Sequence, residues 1–192
     1  LLVGEYTVQE LECDLAVGYV LSDAQTEIVA HEQLIEMKLQ NELQRGSLRI
    51  IKGFEGKDEP VSGVKFRIWG TSIAGIEYDE IHETDKDGII LIENLPVGEY
   101  RVAELASDET EGYLLTGEMT AVVPYNSFAE LGIDNILIRG NARLIKLDNS
   151  GNRLAGAVFE LYDPDGMLIG EYTTDENGEI FVEGLAYGKG YK

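Results

Sequence analysis

Apolar and polar residues alternate along most of the chain, the period-two pattern of strands with one buried face. In Leu48-Arg49-Ile50-Ile51-Lys52, the phase that turns Leu48 and Ile50 inward turns Lys52 inward as well. From Glu99 to Glu104 the inward phase is Tyr100, Val102 and Glu104, and Tyr6, Val8 and Glu10 repeat it. A last strand carries Leu131, Ile133, Asn135 and Leu137 on its inner phase, matched by Met37, Leu39, Asn41 and Leu43. The pattern predicts an all-β chain with a lysine, a glutamate and an asparagine on core faces. Residues 32–44 taken alone have the composition of a helix. Their counterpart, 126–138, contains Gly132 and a β-rich end, so both are read as strands. Asp85-Lys86-Asp87-Gly88 and Asp175-Glu176-Asn177-Gly178 read as tight turns, since Gly tolerates positive φ and Asp or Asn favours turns.

The counterparts belong to a repeat. Set against itself at a shift of 94 positions, the chain stays in register without a gap from Leu1/Leu95 to Gly46/Gly140, and 19 of those 46 pairs are identical. They include Val3-Gly4-Glu5-Tyr6 with Val97-Gly98-Glu99-Tyr100, Gly18-Tyr19 with Gly112-Tyr113, and Arg45-Gly46 with Arg139-Gly140. Beyond that boundary Arg49-Ile50-Ile51-Lys52 recurs as Arg143-Leu144-Ile145-Lys146, and Thr84-Asp85-Lys86-Asp87-Gly88 as Thr174-Asp175-Glu176-Asn177-Gly178. Residues 1–45 therefore read as the C-terminal half of a module, 46–139 as a complete module, and 140–192 as the N-terminal half of a further one. The expectation is a window on a longer tandem array. A second reading lets the two halves complete one another between chains. With Arg45-Gly46 and Arg139-Gly140 as the only joints, a semi-rigid rod with short hinges is expected.

Composition narrows the function classes. A net charge of −21 argues against nucleic acid, which requires basic patches. No apolar run is long enough to span a bilayer and no signal peptide is seen, neither of which is informative in an internal segment. Cys13 is the one cysteine, so no internal disulfide can form and stability must come from elsewhere. Ile89 at a ligand position and Asn94 near the end exclude an EF-hand at Asp85, and no metal or cofactor is expected. His31 and His82 lie at non-equivalent places without a partner cysteine or serine, which argues against an enzyme and reads them as exposed polar residues.

Lys52, Glu104 and Asn135 in one small core would each be costly if unpaired. A buried ion pair with an attendant amide is one reading. The other is spontaneous amide exchange: burial disfavours charged forms, an uncharged amine is a nucleophile, and a glutamic acid can polarise the carboxamide of Asn135 and carry a proton to the departing ammonia. The product would be an amide between Lys52 and Asn135, with proximity supplying the rate.

The order of an early-strand lysine, Leu154-Ala155-Gly156-Ala157-Val158-Phe159, Thr174 to Gly178, Leu95-Pro96-Val97-Gly98-Glu99-Tyr100, Glu104, Gly112-Tyr113 and Asn135 closely resembles the Cna protein B-type domains, the SpaA-like, prealbumin-like pilin modules of Gram-positive surface proteins. The resemblance covers the whole chain. It implies tandem Ig-like or prealbumin-like β-sandwich modules, an internal Lys–Asn isopeptide bond assisted by Glu, and a stalk or pilin role at an extracellular cell surface or cell wall. Lys52, Glu104 and Asn135 match the full set. Glu10 and Asn41 match in the first partial module, and Lys146 in the last. Gly53 and Phe54 after the lysine, and Leu105 after Glu104, depart from the family pattern. The implied partners are neighbouring modules and other copies in a fibre, with a host or cell-surface ligand as the alternative role; nucleic acid and membrane are not expected. Self-crosslinking would be a single-turnover event, not enzymatic catalysis.

Overall fold

The computed structural model describes residues 2–188 and 190–192; Leu1, where the repeat alignment starts, lies outside them. Strands follow one another in three groups. The first holds β1 (Gly4–Val8), β2 (Tyr19–Val20), β3 (Gln25–Val29) and β4 (Glu42–Leu43). The second holds β5 (Arg45–Phe54), β6 (Lys65–Ser72), β7 (Glu77–Glu83), β8 (Ile89–Pro96), β9 (Gly98–Glu104), β10 (Tyr113–Leu114), β11 (Met119–Val123) and β12 (Phe128–Leu137). The third holds β13 (Arg139–Ile145), β14 (Val158–Tyr162), β15 (Leu168–Thr173) and β16 (Glu179–Ala186).

The middle group forms two four-stranded sheets, ordered β10-β12-β5-β8 and β11-β9-β6-β7. Their apolar faces make a sandwich core of Leu48, Ile50, Ile90 and Ile92 from one sheet and Phe66, Ile68, Tyr100, Val102 and Val123 from the other. The alternation predicted for β5 is complete: Gly46, Leu48, Ile50, Lys52 and Phe54 are buried and the residues between are not. On β12 Ile133 and Asn135 are buried while Gly132, Asp134 and Ile136 are exposed. Gly46 is fixed by close approach, because a Cβ there would lie 2.0 Å from the carbonyl oxygen of Pro124.

The outer groups reproduce pieces of this plan. In the first, β1 pairs with β3 and β2 with β4, as β9 pairs with β11 and β10 with β12. In the third, β13 pairs with β16 and β14 with β15, as β5 pairs with β8 and β6 with β7. Each outer group thus carries one pair from each sheet of the sandwich. Burial falls accordingly: Val8 and Leu144 are exposed where Val102 and Ile50 are buried. The strand expected over 32–44 reduces to Glu42–Leu43, whereas its counterpart β12 runs for ten residues. β12 has neighbours on both sides, β10 and β5, whereas among the described residues β4 is paired with β2 alone, since residues 1–45 hold half of a module and no counterpart of β5.

The Thr-Asp-x-x-Gly turns are built alike. The hydroxyl of buried Thr84 donates to Val61 O and accepts from Val64 N–H, and that of Thr174 donates to Leu154 O and accepts from Ala157 N–H. Asp85 accepts from the N–H groups of Asp87 and Ile89, so its carboxylate closes a turn. By contact the chain divides into two compact units, Leu1–Gly53 with Glu59–Glu109 and Thr116–Ile133, and Phe54–Asp58 with Thr110–Leu115 and Asp134–Lys192.

Candidate isopeptide site

Lys52 reaches the core because it shares the inward phase of β5 with Leu48 and Ile50, and it is only 4% exposed. Glu104 ends β9, opposite Phe66 of β6, and is 8% exposed. The structure brings the two together: Lys52 Nζ lies 3.7 Å from Glu104 Oε1, with both side chains fully shielded from solvent. The Lys52 amine also donates to the carbonyl of Gly53 at 2.7 Å and, across the sheet, to that of Ile133 at 3.3 Å. Ile133 stands two residues before Asn135 on β12, on the same face of the strand. Asn135 is 1% exposed, and its backbone carbonyl accepts from Glu55 N–H at 2.9 Å.

Glu104 Oε2 accepts from the backbone N–H of Thr116, a donor not anticipated from the sequence. The first partial module uses the same device, with Ser22 N–H donating to Glu10 Oε2 at 3.0 Å. Ser22 and Thr116 are related by the repeat, and a hydroxyl residue at both places was the available signal. Ser22 Oγ donates to Asn41 Oδ1 at 2.7 Å. Asn41 Nδ2 donates to Glu10 Oε1 at 2.6 Å, so the glutamate and asparagine of this copy are hydrogen-bonded. That bond first, and the Ser22 N–H second, hold the Glu10 carboxyl below the ordinary carboxylate value.

Lys146 follows β13 as a half-buried residue. Its backbone N–H donates to Gly178 O at 2.9 Å, as that of Lys52 does to Gly88 O, so the two lysines occupy equivalent backbone positions. Of the remaining sequence expectations, Cys13 is an exposed free thiol and His31 is exposed. His82 departs from the expectation of an exposed polar residue: it is half-buried, stacked on Tyr78 and hydrogen-bonded to its hydroxyl at 2.7 Å. The Arg67 guanidinium covers the Trp69 ring at 4.8 Å. Among the described residues no group of three or more His, Cys, Asp or Glu is placed to hold a metal ion, and no helix is long and apolar enough to cross a membrane.

What the arrangement can do chemically follows from its dryness. A shielded amine beside a shielded carboxyl group is either a buried ion pair or an amine and acid placed to exchange a proton.

A family model for the SpaA prealbumin-like fold domain matches residues 46–136 and 140–192. No curated protein matches the sequence. Among solved structures, the Bacillus anthracis TIE protein is similar at 28% identity and a TM-score of 0.67, covering 90% of this chain and 31% of that one. The chain therefore spans about a third of the length of that relative. A streptococcal ancillary pilin is similar at 20% identity with a TM-score of 0.42, covering 98% of this chain and 65% of that one. The shaft pilin SpaA from Lactobacillus rhamnosus GG gives 15% identity and a TM-score of 0.39, covering 76% of this chain and 84% of that one.

Proposed function

The chain belongs to the SpaA family of prealbumin-like fold domains, and from that premise we propose that it is a structural segment of a stalk or fibre in a bacterial cell-surface adhesin or pilin. In this reading each module is stapled by an autocatalytic bond between lysine and asparagine. The observation that carries it is the fully shielded Lys52–Glu104 pair, with the lysine amine already donating to β12 two residues from Asn135. The Glu10–Asn41 hydrogen bond supports it by repeat equivalence, since it shows a glutamate and asparagine of this type held together.

The step balances without a co-reactant. The uncharged Nζ of Lys52 attacks Cγ of Asn135, a new C–N bond forms, and the bond from Cγ to the carboxamide nitrogen breaks. Glu104 takes the proton from the amine and gives it to the departing nitrogen, which leaves as ammonia. Preorganisation in a water-poor core replaces a cofactor. Closing the chain between residues 52 and 135 contributes roughly 4–5 kcal/mol in the chain-entropy account, which substitutes for the disulfides that a chain with one cysteine cannot form. The link joins β5 to β12, the first and last strands of the module, so a pull on the ends passes through a covalent bond and not through the sheet. The setting for such a part is extracellular, at the cell surface or wall, with neighbouring modules as its partners.

Pulling single molecules of the full chain tests the role. The middle module of the wild type is expected to resist extension between residues 52 and 135, and Lys52→Ala is expected to release that length. Equal extension in both proteins would remove the stalk mechanism.

A further inference from the structure

The two places where one module passes into the next are built to the same pattern, and each lies inside one compact unit. At the first, Gln44 N–H donates to the carbonyl of Gly18 at 2.8 Å, and Gln44 O accepts from Val97 N–H at 3.0 Å. At the second, Ile138 N–H donates to Gly112 O at 2.9 Å, and Ile138 O accepts from Tyr187 N–H at 2.7 Å. Gln44 and Ile138 are repeat equivalents, as are Gly18 and Gly112. Val97 follows β8 and Tyr187 follows β16, the matching strand. A single residue outside any strand therefore bonds backward to the module it leaves and forward to the module it enters.

The glycines explain how the modules come close enough. Both are buried and left-handed, with φ of +83° and +87°. A Cβ on Gly18 would stand 2.8 Å from the Cβ of Ala74, in the turn after β6, and one on Gly112 would stand 2.6 Å from the Tyr187 ring. Side chains then tailor each joint. Gln44 Nε2 donates to Tyr19 O, and the Ile73 N–H beside Ala74 donates to Val97 O. At the second joint the Tyr187 hydroxyl donates to Glu111 at 2.6 Å. The Arg139 guanidinium meets Glu55 in a two-pronged pair at 2.6 and 3.0 Å, and Glu55 also accepts from Leu137 N–H.

We propose that the end of each module is a docking socket for the next one, formed by the Gln44 or Ile138 carbonyl beside Gly18 or Gly112, and that the joints are fixed splices in place of the short hinges expected from the missing spacer. The partner that fits is a further module of the same kind, presenting a free N–H just after its β8-equivalent strand and a small or planar side chain against the glycine. The splice stands on the joints themselves; its value to a stalk rests on the proposed function.

Two readouts on the intact chain test it without depending on the isopeptide bond. Arg45 and Arg139 place trypsin sites in the joints, and Val97 and Tyr187 carry amides bonded across them. In the wild type, amide exchange at Val97 and Tyr187 is expected to be slowed at least about 100-fold relative to an exposed turn amide such as that of Lys86, and trypsin to spare both arginines while cutting exposed lysines such as Lys86. Inserting two glycines after Gln44 is expected to abolish protection at Val97 while Ile50 in the core keeps its own. Glu55→Gln is expected to speed cleavage at Arg139 several-fold and leave Arg45 unchanged. Fast exchange at Val97 and Tyr187 beside a protected Ile50 would overturn the splice, as would protection at Val97 that survives the insertion. Unchanged cleavage at Arg139 in Glu55→Gln would overturn the part assigned to the ion pair. An intact mass measured on the same samples reads the cross-link separately.

Discussion

The middle module and the first partial module carry the same residues at the same spacing, yet their polar groups live in different surroundings. Tyr100 and Val102 are fully buried, whereas Tyr6 is half-buried and Val8 exposed. Glu104 meets a lysine amine in a site shut off from water. Among the described residues Glu10 meets an asparagine and a serine, which hold its carboxyl below the ordinary value. The strand sequence sets which face a residue takes; residues 1–45 hold one strand pair from each sheet, so the exposure of Tyr6 and Val8 is that of half a sandwich. The proposed amide exchange requires a dry site, and the paired four-stranded sheets of the middle module supply one around Lys52 and Glu104.

The sharpest way to break that contrast is to remove the lysine. Lys52→Ala is expected to cost at least about 4–5 kcal/mol in denaturant unfolding of the middle module, through loss of the closed loop and an uncompensated buried glutamate. A loss below about 2 kcal/mol would mean that no covalent loop existed to lose. Next comes a glycine pair. Gly46→Ala forces a methyl group into the Pro124 carbonyl and is expected to cost about 1–3 kcal/mol or more. Gly140→Ala, which meets open space, should stay within about 0.5 kcal/mol, and equal effects would contradict the difference in closure.

Smaller still is the tyrosine pair. The buried Tyr100 hydroxyl donates to Pro96 O at 2.6 Å, so Tyr100→Phe should cost about 0.5–1.5 kcal/mol. The Tyr6 hydroxyl donates to Leu2 O at an exposed site, and Tyr6→Phe should be nearly silent in thermal unfolding. The smallest effect is a titration. Because Asn41 and the Ser22 N–H lower the folded value for Glu10 below the ordinary 4.5, the contact stabilises the first partial module above that pH. Its contribution fades as pH falls from 4.5 through the lowered value. Carbon-detected NMR should place the Glu10 inflection below 4.5, and an inflection at or above it would contradict the Asn41 contact.

Much of this was legible in the alternation of apolar residues. The phases that bury Lys52, Glu104 and Asn135 with Leu48, Val102 and Ile133 are period-two statements about a pleated strand. What escaped the sequence is what backbone groups do. The N–H of Thr116 that holds Glu104 and the Gly18 and Gly112 carbonyls at the joints carry no side-chain signature of those contacts. Residues 32–41 depart from the expected strand because a strand exists through its neighbours, and in the half-module of residues 1–45 β4 is paired with β2 alone, where β12 has two partners. His82 departs from the exposed placement for a similar reason: it stacks on and hydrogen-bonds Tyr78, four positions earlier on the same edge strand, a partner that the spacing of chemical motifs does not weigh.

The account turns on whether Lys52 and Asn135 are joined. The most direct measurement is the intact mass of the purified chain beside Lys52→Ala, followed by fragmentation of the peptide containing Asn135. The account predicts a wild type lighter by one ammonia, with Lys52 attached to the Asn135 peptide, and a variant at its full expected mass. A wild type at full mass, with the two residues in separate peptides, would leave an ion pair in the core and contradict the claim.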